Sequence, residues 1–271
     1  MKDVTRLHAL FADACFGDSA EALAGDLRPY LARHGVAEED AEALLASPRR
    51  LGLYRMLVRH NVVNVVGLML ERTRARFDEH VPGGFDRSVA EFLASRGPRT
   101  PHLRDVPSEL LAWAAPRWRA DPRVPAFLAD HAEYELVDFT IGVAPRPAPP
   151  PPLADVTAER ALVFADPHVI VHLAWAVHLL PSDDLKAVPE QRAVSLLVYR
   201  DTGHQTRFLD LSPLAAAILE RLFAGRPLAQ AMVEACASEG QPLDNSVLAG
   251  AATLLADLGE RGVLLGAREG V

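Results

Sequence analysis

Histidine and carboxylate side chains are the residues of this chain whose type and spacing could do chemistry. His131, Glu135 and Asp138 recur on one face of a predicted helix, and such a set could bind a metal ion. The alternative is a polar helix edge that pairs with arginines of another helix. This alternative is favoured because no fourth ligand is identifiable and no Cys or second His follows at ligand spacing.

A second group, His168, His172 and His178, lies in a segment where apolar residues alternate with a period of two. The apolar residues between them share the opposite face: Val169, Val171, Leu173, Trp175 and Val177. On a strand, side chains four residues apart are separated by about 13 Å, which is too far to bind one ion. A helix would allow chelation at i and i+4, but the alternation favours an edge or half-exposed strand over residues 167–179.

Motifs of known catalytic sites are absent from the sequence. It contains no Gly-x-Ser-x-Gly, no phosphate-binding loop, no His-Glu-x-x-His and no Cys-x-x-Cys. The two cysteines, Cys15 and Cys236, lie far apart and are expected to be buried small side chains in a reducing compartment. A disulfide or a thiol nucleophile is the alternative. We therefore expect a non-catalytic chain that carries neither a metal nor another cofactor.

Length and composition indicate a globular protein of two domains. The chain has 271 residues, of which 49% are hydrophobic and 24% charged, and its formal net charge is −8. No apolar run approaches the roughly 18 residues of a membrane span, and the first residues lack the apolar core of a signal peptide. These features predict a cytoplasmic protein without a membrane partner.

A proline-rich segment from Pro145 to Pro152 predicts the domain organisation. Such a run adopts the polyproline II conformation and acts as a semi-rigid spacer, at about 3.1 Å per residue. The alternative is a ligand for a proline-binding module. We place a helical domain at residues 1–144, a linker at 145–154 and a second domain at 155–271.

Helical periodicity dominates the first domain. The predicted helices span residues 5–33, 38–45, 49 to about 77, 85–95 and 125–139. In the long helix, these residues are compatible with a buried face: Leu53, Met56, Leu57, Val63, Val66, Leu70 and Thr73. Arginines surround that face: Arg55, Arg59, Arg72, Arg74 and Arg76. They form either a solvated helix face or a binding surface.

The second domain begins with strand signals and ends with helices. Residues 195–200 and 206–211 predict a hairpin in which Gly203 supplies the positive φ of the turn. Helices follow from Ser212-Pro213 to Gly225, over residues 228–237, and from an Asp244 or Asn245 cap to Gly262. Residues 263–265 leave as an extended tail.

Together these elements predict an α+β protein. An all-α N-terminal domain precedes a winged-helix-like domain with three helices and a three-stranded antiparallel sheet of residues 167–179, 195–200 and 206–211.

Charge decides between nucleic acid and peptide as the partner of such a module. Residues 244–260 include Asp244, Asp257 and Glu260 but no Lys or Arg, and a DNA reader needs a basic stripe. Negligible binding to duplex DNA is therefore expected. A peptide reader needs an exposed strand edge beside a groove, because backbone hydrogen bonds supply the affinity.

The residues RFLDLSPLAAAILERLFAGRPLAQAM and LAGAATLLADLGERGVL resemble the RiPP recognition element. This family of leader-peptide-binding domains is typified by the small peptide chaperone of pyrroloquinoline quinone biosynthesis. The resemblance implies that a leader peptide adds as a strand beside Thr206 to Leu211 and packs against the helix from Asn245 to Glu260. The implied leader-binding residues are Thr206, Arg207, Phe208, Leu209, Leu211, Leu248, Ala251, Ala252 and Leu255.

Two side chains in that set have a second interpretation. Phe208 and Leu248 could equally be ordinary core residues, whereas Arg207 could steer an acidic leader.

Residues 45–140 resemble a second family, the partner proteins of multinuclear non-heme iron oxidative enzymes, which includes the accessory subunit of methanobactin biosynthesis. Tyr54-Arg55, Asn61, the loop from Leu103 to Pro107, the Trp113/Trp118 pair and Ala132-Glu133 carry the resemblance. It implies a heterodimer with an iron oxidase, and iron on that partner. The implied docking residues are Tyr54, Arg55, Arg59, Arg104, Asp105, Trp113 and Trp118.

The combined hypothesis is a non-catalytic accessory subunit of RiPP biosynthesis. It would bind the leader of a precursor peptide and present the core, at a cysteine, to the iron oxidase. A winged-helix-like transcriptional regulator and a stand-alone interaction module are the alternatives. An oxidase gene and a short Cys-containing peptide gene as neighbours would favour the first.

Overall fold

A computed structural model of the chain describes residues 4–145, 150 and 152–269. The chain forms two compact units, one of Met1–Glu133 with Ser182–Lys186 and the other of Tyr134–Pro181 with Ala187–Val271. The division falls within a helix, so residues 134–144 group with the second unit. The linker at residues 145–154 stays a prediction.

Helices build the first unit. In chain order they are α1 (Val4–Phe16), α2 (Ala20–Ala24), α3 (Leu27–Arg33), α4 (Glu38–Leu45), α5 (Arg49–Met69), α6 (Glu71–His80), α7 (Gly84–Ser95), α8 (Val106–Ala120) and the start of α9 (Phe127–Val143). A 3-10 turn at Leu103–Asp105 leads into α8.

Two of the long predicted helices are interrupted. The helix predicted over 5–33 is three helices, because the chain turns after Gly17 and Asp26 starts a new helix by accepting the backbone N–H of Arg28. The helix predicted over 49–77 breaks at Leu70, whose φ of −125° and ψ of 37° are not helical. The short helix predicted over 38–45 is confirmed as α4.

Among the described residues, the core of the first unit includes two groups of apolar side chains. One lies among α1, α2, α3 and α5 and consists of Leu10, Ala14, Leu23, Leu27, Tyr30, Leu31 and Leu51. The other is aromatic: Phe77 of α6 lies 4.8 Å from Trp118 of α8 and 6.0 Å from Phe85 of α7, measured between ring centroids.

The second unit contains strands and helices. Its strands are β1 (Leu153–Ala154), β2 (Leu162–Phe164), β3 (His168–Leu173), β4 (Val194–Arg200), β5 (Thr206–Leu211) and β6 (Leu264–Arg268). Its helices are the end of α9, α10 (Pro213–Phe223), α11 (Leu228–Ser238) and α12 (Asn245–Glu260), with a 3-10 turn at Val177–Leu179.

The predicted three-stranded antiparallel sheet is confirmed, with the order β3-β4-β5. The strand predicted over 167–179 is too long, because β3 pairs only as far as Leu173 opposite Val194, where β4 begins. Trp175 and His178 therefore lie outside the sheet. A second antiparallel sheet, β1-β6-β2, was not predicted; β6 is the extended tail, now paired on both sides.

The hairpin between β4 and β5 turns differently from the prediction. His204 has the positive φ, at 62°, whereas Gly203 is not among the residues with positive φ. The Asp201 side chain accepts the backbone N–H of Gln205 at 2.9 Å, and the Asp201 N–H donates to the Gln205 carbonyl. The aspartate thus closes the turn through its side chain, as Asp commonly does in turns.

Capping signals locate the helices of the second unit. Ser212 accepts the N–H of Ala215 and Pro213 occupies the first turn of α10, as predicted. Asp244 accepts the N–H groups of Ser246 and Val247, which decides between the two predicted caps of α12. Gly262, with φ of 72°, ends α12 in the left-handed region.

Side chains of β4 and β5 point alternately to the two faces of the sheet, and other elements cover both faces. Leu197, Tyr199 and Leu211 point into the core formed with α10 and α12. On the other face, Phe208 lies 4.7 Å from the ring of Tyr134 in α9, and Thr206 donates to the Asp138 carbonyl. β5 is therefore fixed on both faces while it remains an edge strand.

Candidate functional site

A groove of about 600 Å³ lies between β5, α10 and α12 of the second unit, and we call it the β5–α12 groove. β5 and the residue after it contribute Leu209, Asp210, Leu211 and Ser212, and α10 contributes Leu214, Ala215 and Ile218. Gln241 precedes α12, which contributes Ser246, Val247, Gly250, Ala251, Thr253, Leu254 and Asp257. Most of these side chains are apolar or small, which is typical of peptide-binding grooves.

Helical spacing on α12 forms one wall. Val247, Gly250, Ala251 and Leu254 recur at i, i+3, i+4 and i+7, so they share a face. Gly250 leaves that wall open, because a Cβ built there would meet no atom within 4 Å. From Ser246 to Asp257 the wall is about 16 Å long, the length of a strand of roughly five residues.

The outer edge of β5 borders the groove with unpaired backbone groups. Asp201 N–H bonds the Gln205 carbonyl, and bonded and non-bonded pairs alternate along an antiparallel ladder. Phe208 and Asp210 therefore direct their N–H and C=O groups away from β4. Within the described part of the chain, no backbone hydrogen bond reaches these outward groups. Such an edge can pair with another strand.

The charge at the groove is acidic. Asp210 and Asp257 line it, and no Lys or Arg does so among the described residues. Asp257 forms an ion pair with Arg261 at 2.7 Å, and Arg261 also donates to the Tyr199 hydroxyl at 3.3 Å. The Asp257 charge is thus partly compensated at the C-terminal end of α12.

Arg207, predicted to steer an acidic leader, forms an ion pair with Asp201 at 2.6 Å. The Gln205 backbone N–H, and then this arginine, lower the pKa of Asp201 below its usual value, so the carboxylate stays charged at neutral pH. The guanidinium is exposed but already has an anionic partner.

The predicted leader-binding residues are only partly brought together. Leu209, Leu211 and Ala251 line the groove. Leu255 is buried in the core, whereas Leu248 is 47% exposed and Ala252 is exposed, both outside the groove lining. Thr206, Arg207 and Phe208 lie on β5 beyond it. The residues missed by the sequence analysis include Val247, Gly250 and Leu254, which the i, i+3, i+7 spacing of small and apolar residues could have identified.

The predicted docking residues lie in different surroundings in the first unit. Trp118 is buried and donates to Ser88 Oγ at 2.9 Å, whereas Trp113 is half-buried with the Arg117 guanidinium 4.1 Å from its ring. Arg104 and Asp105 form an exposed pair at 3.6 Å.

The remaining three docking candidates lie on α5. Tyr54 is exposed and its ring contacts Phe11. Arg55 Nη1 donates to the carbonyls of Ala14 and Gly17 and to Ser19 Oγ, and Arg59 Nη1 donates to the carbonyls of Cys15 and Leu93. Both arginines therefore hold the helices of their own unit together.

The histidines with metal-ligand spacing have separate partners. His131 is buried with its Nδ1 2.8 Å from Thr73 Oγ1. Burial, and then the charges of Arg76 and Arg72, lower the pKa of His131 from its usual 6.5 to about 3. No group of three or more potential ligands could hold a metal ion among the residues that the structure describes.

The histidines of the second unit are similarly dispersed. His168 Nδ1 lies 2.9 Å from the Ala165 carbonyl oxygen, and His178 Nε2 lies 3.6 Å from Asp210. His172 on β3 lies between Ser195 and Glu220, with its Nδ1 2.9 Å from Ser195 Oγ and its Nε2 2.6 Å from Glu220 Oε1. Each ring thus interacts with its own local partner.

Comparison with protein families gives one match. Residues 167–259 match the family model described as the HvfC C-terminal domain. The match fits an accessory-subunit-like family of multinuclear non-heme iron oxidative enzymes. It includes β3, β4, β5, α10, α11 and all but the last residue of α12, and therefore every wall of the β5–α12 groove. The match suggests an accessory role in such an enzyme system.

No curated protein matches the chain. In the described part of the chain, no helix is both long enough and apolar enough to cross a bilayer.

Proposed function

We propose that this chain is a non-catalytic accessory subunit that binds the leader of a ribosomally synthesised precursor peptide in the β5–α12 groove. It presents the core of that peptide, at a cysteine, to an iron-dependent oxidative enzyme. One observation carries the proposal: the unpaired outer edge of β5 runs beside a groove with an apolar wall. Main-chain pairing to such an edge supplies affinity, and side-chain pockets supply specificity.

The geometry supports a short extended ligand. Phe208 and Asp210 offer N–H and C=O groups at two alternate positions, which fixes the register of an added strand. Every second side chain of that strand would enter the groove between Leu209, Ala215 and Leu254. The 16 Å wall accommodates about five residues, so roughly three side chains would be read.

The chemistry of the modification is assigned to the partner. In this proposal the iron lies on the oxidative enzyme, and this chain contributes binding and positioning. Anchoring the leader raises the effective concentration of the core at the partner, because the second encounter becomes intramolecular. A leader site of moderate affinity is sufficient for this role.

The transcriptional-regulator alternative is not favoured. α12 would be the recognition helix, and it contains Asp257 and Glu260 but neither Lys nor Arg. The arginine at its C-terminal cap, Arg261, is paired with Asp257. A helix of this charge would repel phosphates rather than neutralise them.

Gly250→Arg is the decisive test of the groove. The substitution fills the open wall with bulk and charge and does not remove core volume, and Gly→Arg favours a helix. Binding of a fluorescent leader peptide, taken from a neighbouring precursor gene, should weaken tenfold or more, about 1.4 kcal/mol. Ala251→Arg is less suitable because Ala251 is buried at 7% exposure.

Gly259→Arg is the matched control. Gly259 lies on the same helix, also has open space at its Cβ, and does not line the groove. The control should bind the leader as the wild type does. Equal affinity of Gly250→Arg and Gly259→Arg would show that the leader does not use this groove.

A further inference from the structure

The first part of α5 exposes apolar side chains that the sequence pattern places on a buried face. Arg55 and Arg59 point into the unit, where they donate hydrogen bonds to backbone carbonyls of neighbouring helices. Large apolar side chains point outward instead. We call this set the α5 outer face; it consists of Leu53, Met56, Leu57, Val63 and Leu68.

The outer face is unusually exposed for its composition. Leu53, Met56 and Leu57 recur at i, i+3 and i+4 and are 51%, 58% and 49% exposed. Leu68, farther along the helix, is 74% exposed. Leu68 lies beyond the exposed His60, Asn61 and Asn64, and single exposed leucines are ordinary. Leu53, Met56 and Leu57 adjoin one another, and a contiguous apolar patch on a folded protein marks an interaction surface.

A small cavity adjoins this face. It measures about 210 Å³ and lies between α5 and α7, lined by Arg59, His60, Val63, Asp86, Val89, Ala90 and Leu93. Small-molecule sites are typically larger, at roughly 300–1,000 Å³. A cavity of this size suits one apolar side chain of a protein partner, the kind of anchor that dominates interface energies.

Charge identifies the chemistry of the partner. α5 contains Arg49, Arg50, Arg55 and Arg59 but neither Asp nor Glu. Arg49 and Arg50 are exposed in the first turn, where the helix dipole already places positive charge. A covering surface would therefore be apolar at its centre and acidic at its rim.

A second copy of this chain fits that description poorly. It would bring together two helices that both carry arginines and no acidic residue, and like charges across an interface are unfavourable. An anionic membrane fits poorly as well, because membrane-surface helices flank the apolar face with Lys and Arg. Here the exposed arginines of α5, Arg49 and Arg50, are confined to the first turn, and the polar residues farther along beside the apolar ones are His60, Asn61 and Asn64.

We infer that the α5 outer face docks the iron-dependent oxidative enzyme, through an apolar centre with an acidic rim on that enzyme. This inference rests on the proposed accessory function. It assigns the enzyme contact to the first unit, whereas the leader is bound by the second. The two contacts use different residues, so substitutions should separate them.

Introduction of a negative charge on the outer face tests the assignment in the full-length chain. Met56→Glu and Leu57→Glu each place a carboxylate in the apolar centre without removing a buried group. Affinity for the purified oxidative enzyme, measured by biolayer interferometry, should fall at least tenfold. Val233→Glu is the matched control, since Val233 is 56% exposed on α11 of the second unit, and it should change affinity less than twofold. All three variants should bind the leader peptide as the wild type does.

The outcomes separate two failures. If the wild-type chain binds the enzyme and both α5 variants bind it equally well, the docking surface is wrong and the accessory function stands. If the wild-type chain does not bind the enzyme, the proposed partner is wrong and the inference fails with it. If light scattering shows that the wild type is a homodimer and that Leu57→Glu is a monomer, the face binds a second copy of the chain. Wild-type binding to anionic vesicles lost in Leu57→Glu would assign it to a membrane.

Discussion

The β5–α12 groove and the α5 outer face both expose apolar groups, but they differ in what they leave unsatisfied. The groove borders a strand edge whose N–H and C=O groups lack partners, so it selects an extended backbone. α5 satisfies its own backbone and exposes side chains alone, so it selects a complementary folded surface. We therefore propose two kinds of ligand for one chain.

Substitution of an inward-facing arginine of α5 should have the largest effect, which is on the stability of the first unit. Arg55→Met retains the apolar stem but removes the donor shared by Ala14, Gly17 and Ser19. Leaving these acceptors unsatisfied should lower the free energy of unfolding of the first unit by about 2–3 kcal/mol. Leu53→Ser, on the exposed side of the same helix, should change it by no more than about 0.5 kcal/mol. Urea denaturation of both variants checks the contrast. Equal losses would contradict the stabilising role assigned to the Arg55 hydrogen bonds.

Acid should weaken the first unit through His131. Its folded pKa of about 3 lies below the unfolded value of 6.5, so the unfolded state binds more protons between these values. The neutral ring makes its full contribution to the free energy of unfolding above pH 6.5. This contribution falls as the pH drops toward 3, and about 2 kcal/mol of it is lost at pH 5. His131→Gln should flatten the pH dependence of unfolding over this window. An unchanged slope would contradict a buried neutral histidine.

Arg207 should have the smallest effect. Because it already pairs with Asp201 on the exposed hairpin, Arg207→Ala should change leader affinity less than threefold, below about 0.7 kcal/mol. Fluorescence polarisation with the same leader peptide measures this. A tenfold loss would restore the steering role predicted from the sequence and would place the leader farther along β5 than the groove.

Local signals in the sequence predicted the second unit well. Ser212 and Pro213 start α10 and Gly262 ends α12 through local backbone geometry that does not depend on distant contacts. The strand and helix named from the resemblance, β5 and α12, both line the groove, and leader binding there stays a prediction. The choice of individual residues on α12 matched the groove wall less well, because Leu248 and Ala252 each lie one residue after a wall position.

The buried face predicted for α5 was wrong in its first part, where Leu53, Met56, Leu57 and Val63 are exposed, whereas Val66, Leu70 and Thr73 are buried as predicted. Periodicity places Leu53, Met56 and Leu57 on one face but does not say which face is buried. The carbonyls of Ala14, Gly17 and Leu93 need donors, and only the folded structure brings them to Arg55 and Arg59. The second sheet was missed similarly, because β1 has two residues and its partner β6 is distant in sequence.

Amide hydrogen exchange on β5 tests strand addition most directly. At saturating leader peptide, the amides of Phe208 and Asp210 should gain protection, while Arg207 and Leu209, already paired with β4, should change little. The gain should disappear in Gly250→Arg and remain in Gly259→Arg. Unchanged exchange at Phe208 and Asp210 with the leader bound would contradict the proposal that the peptide adds to this edge.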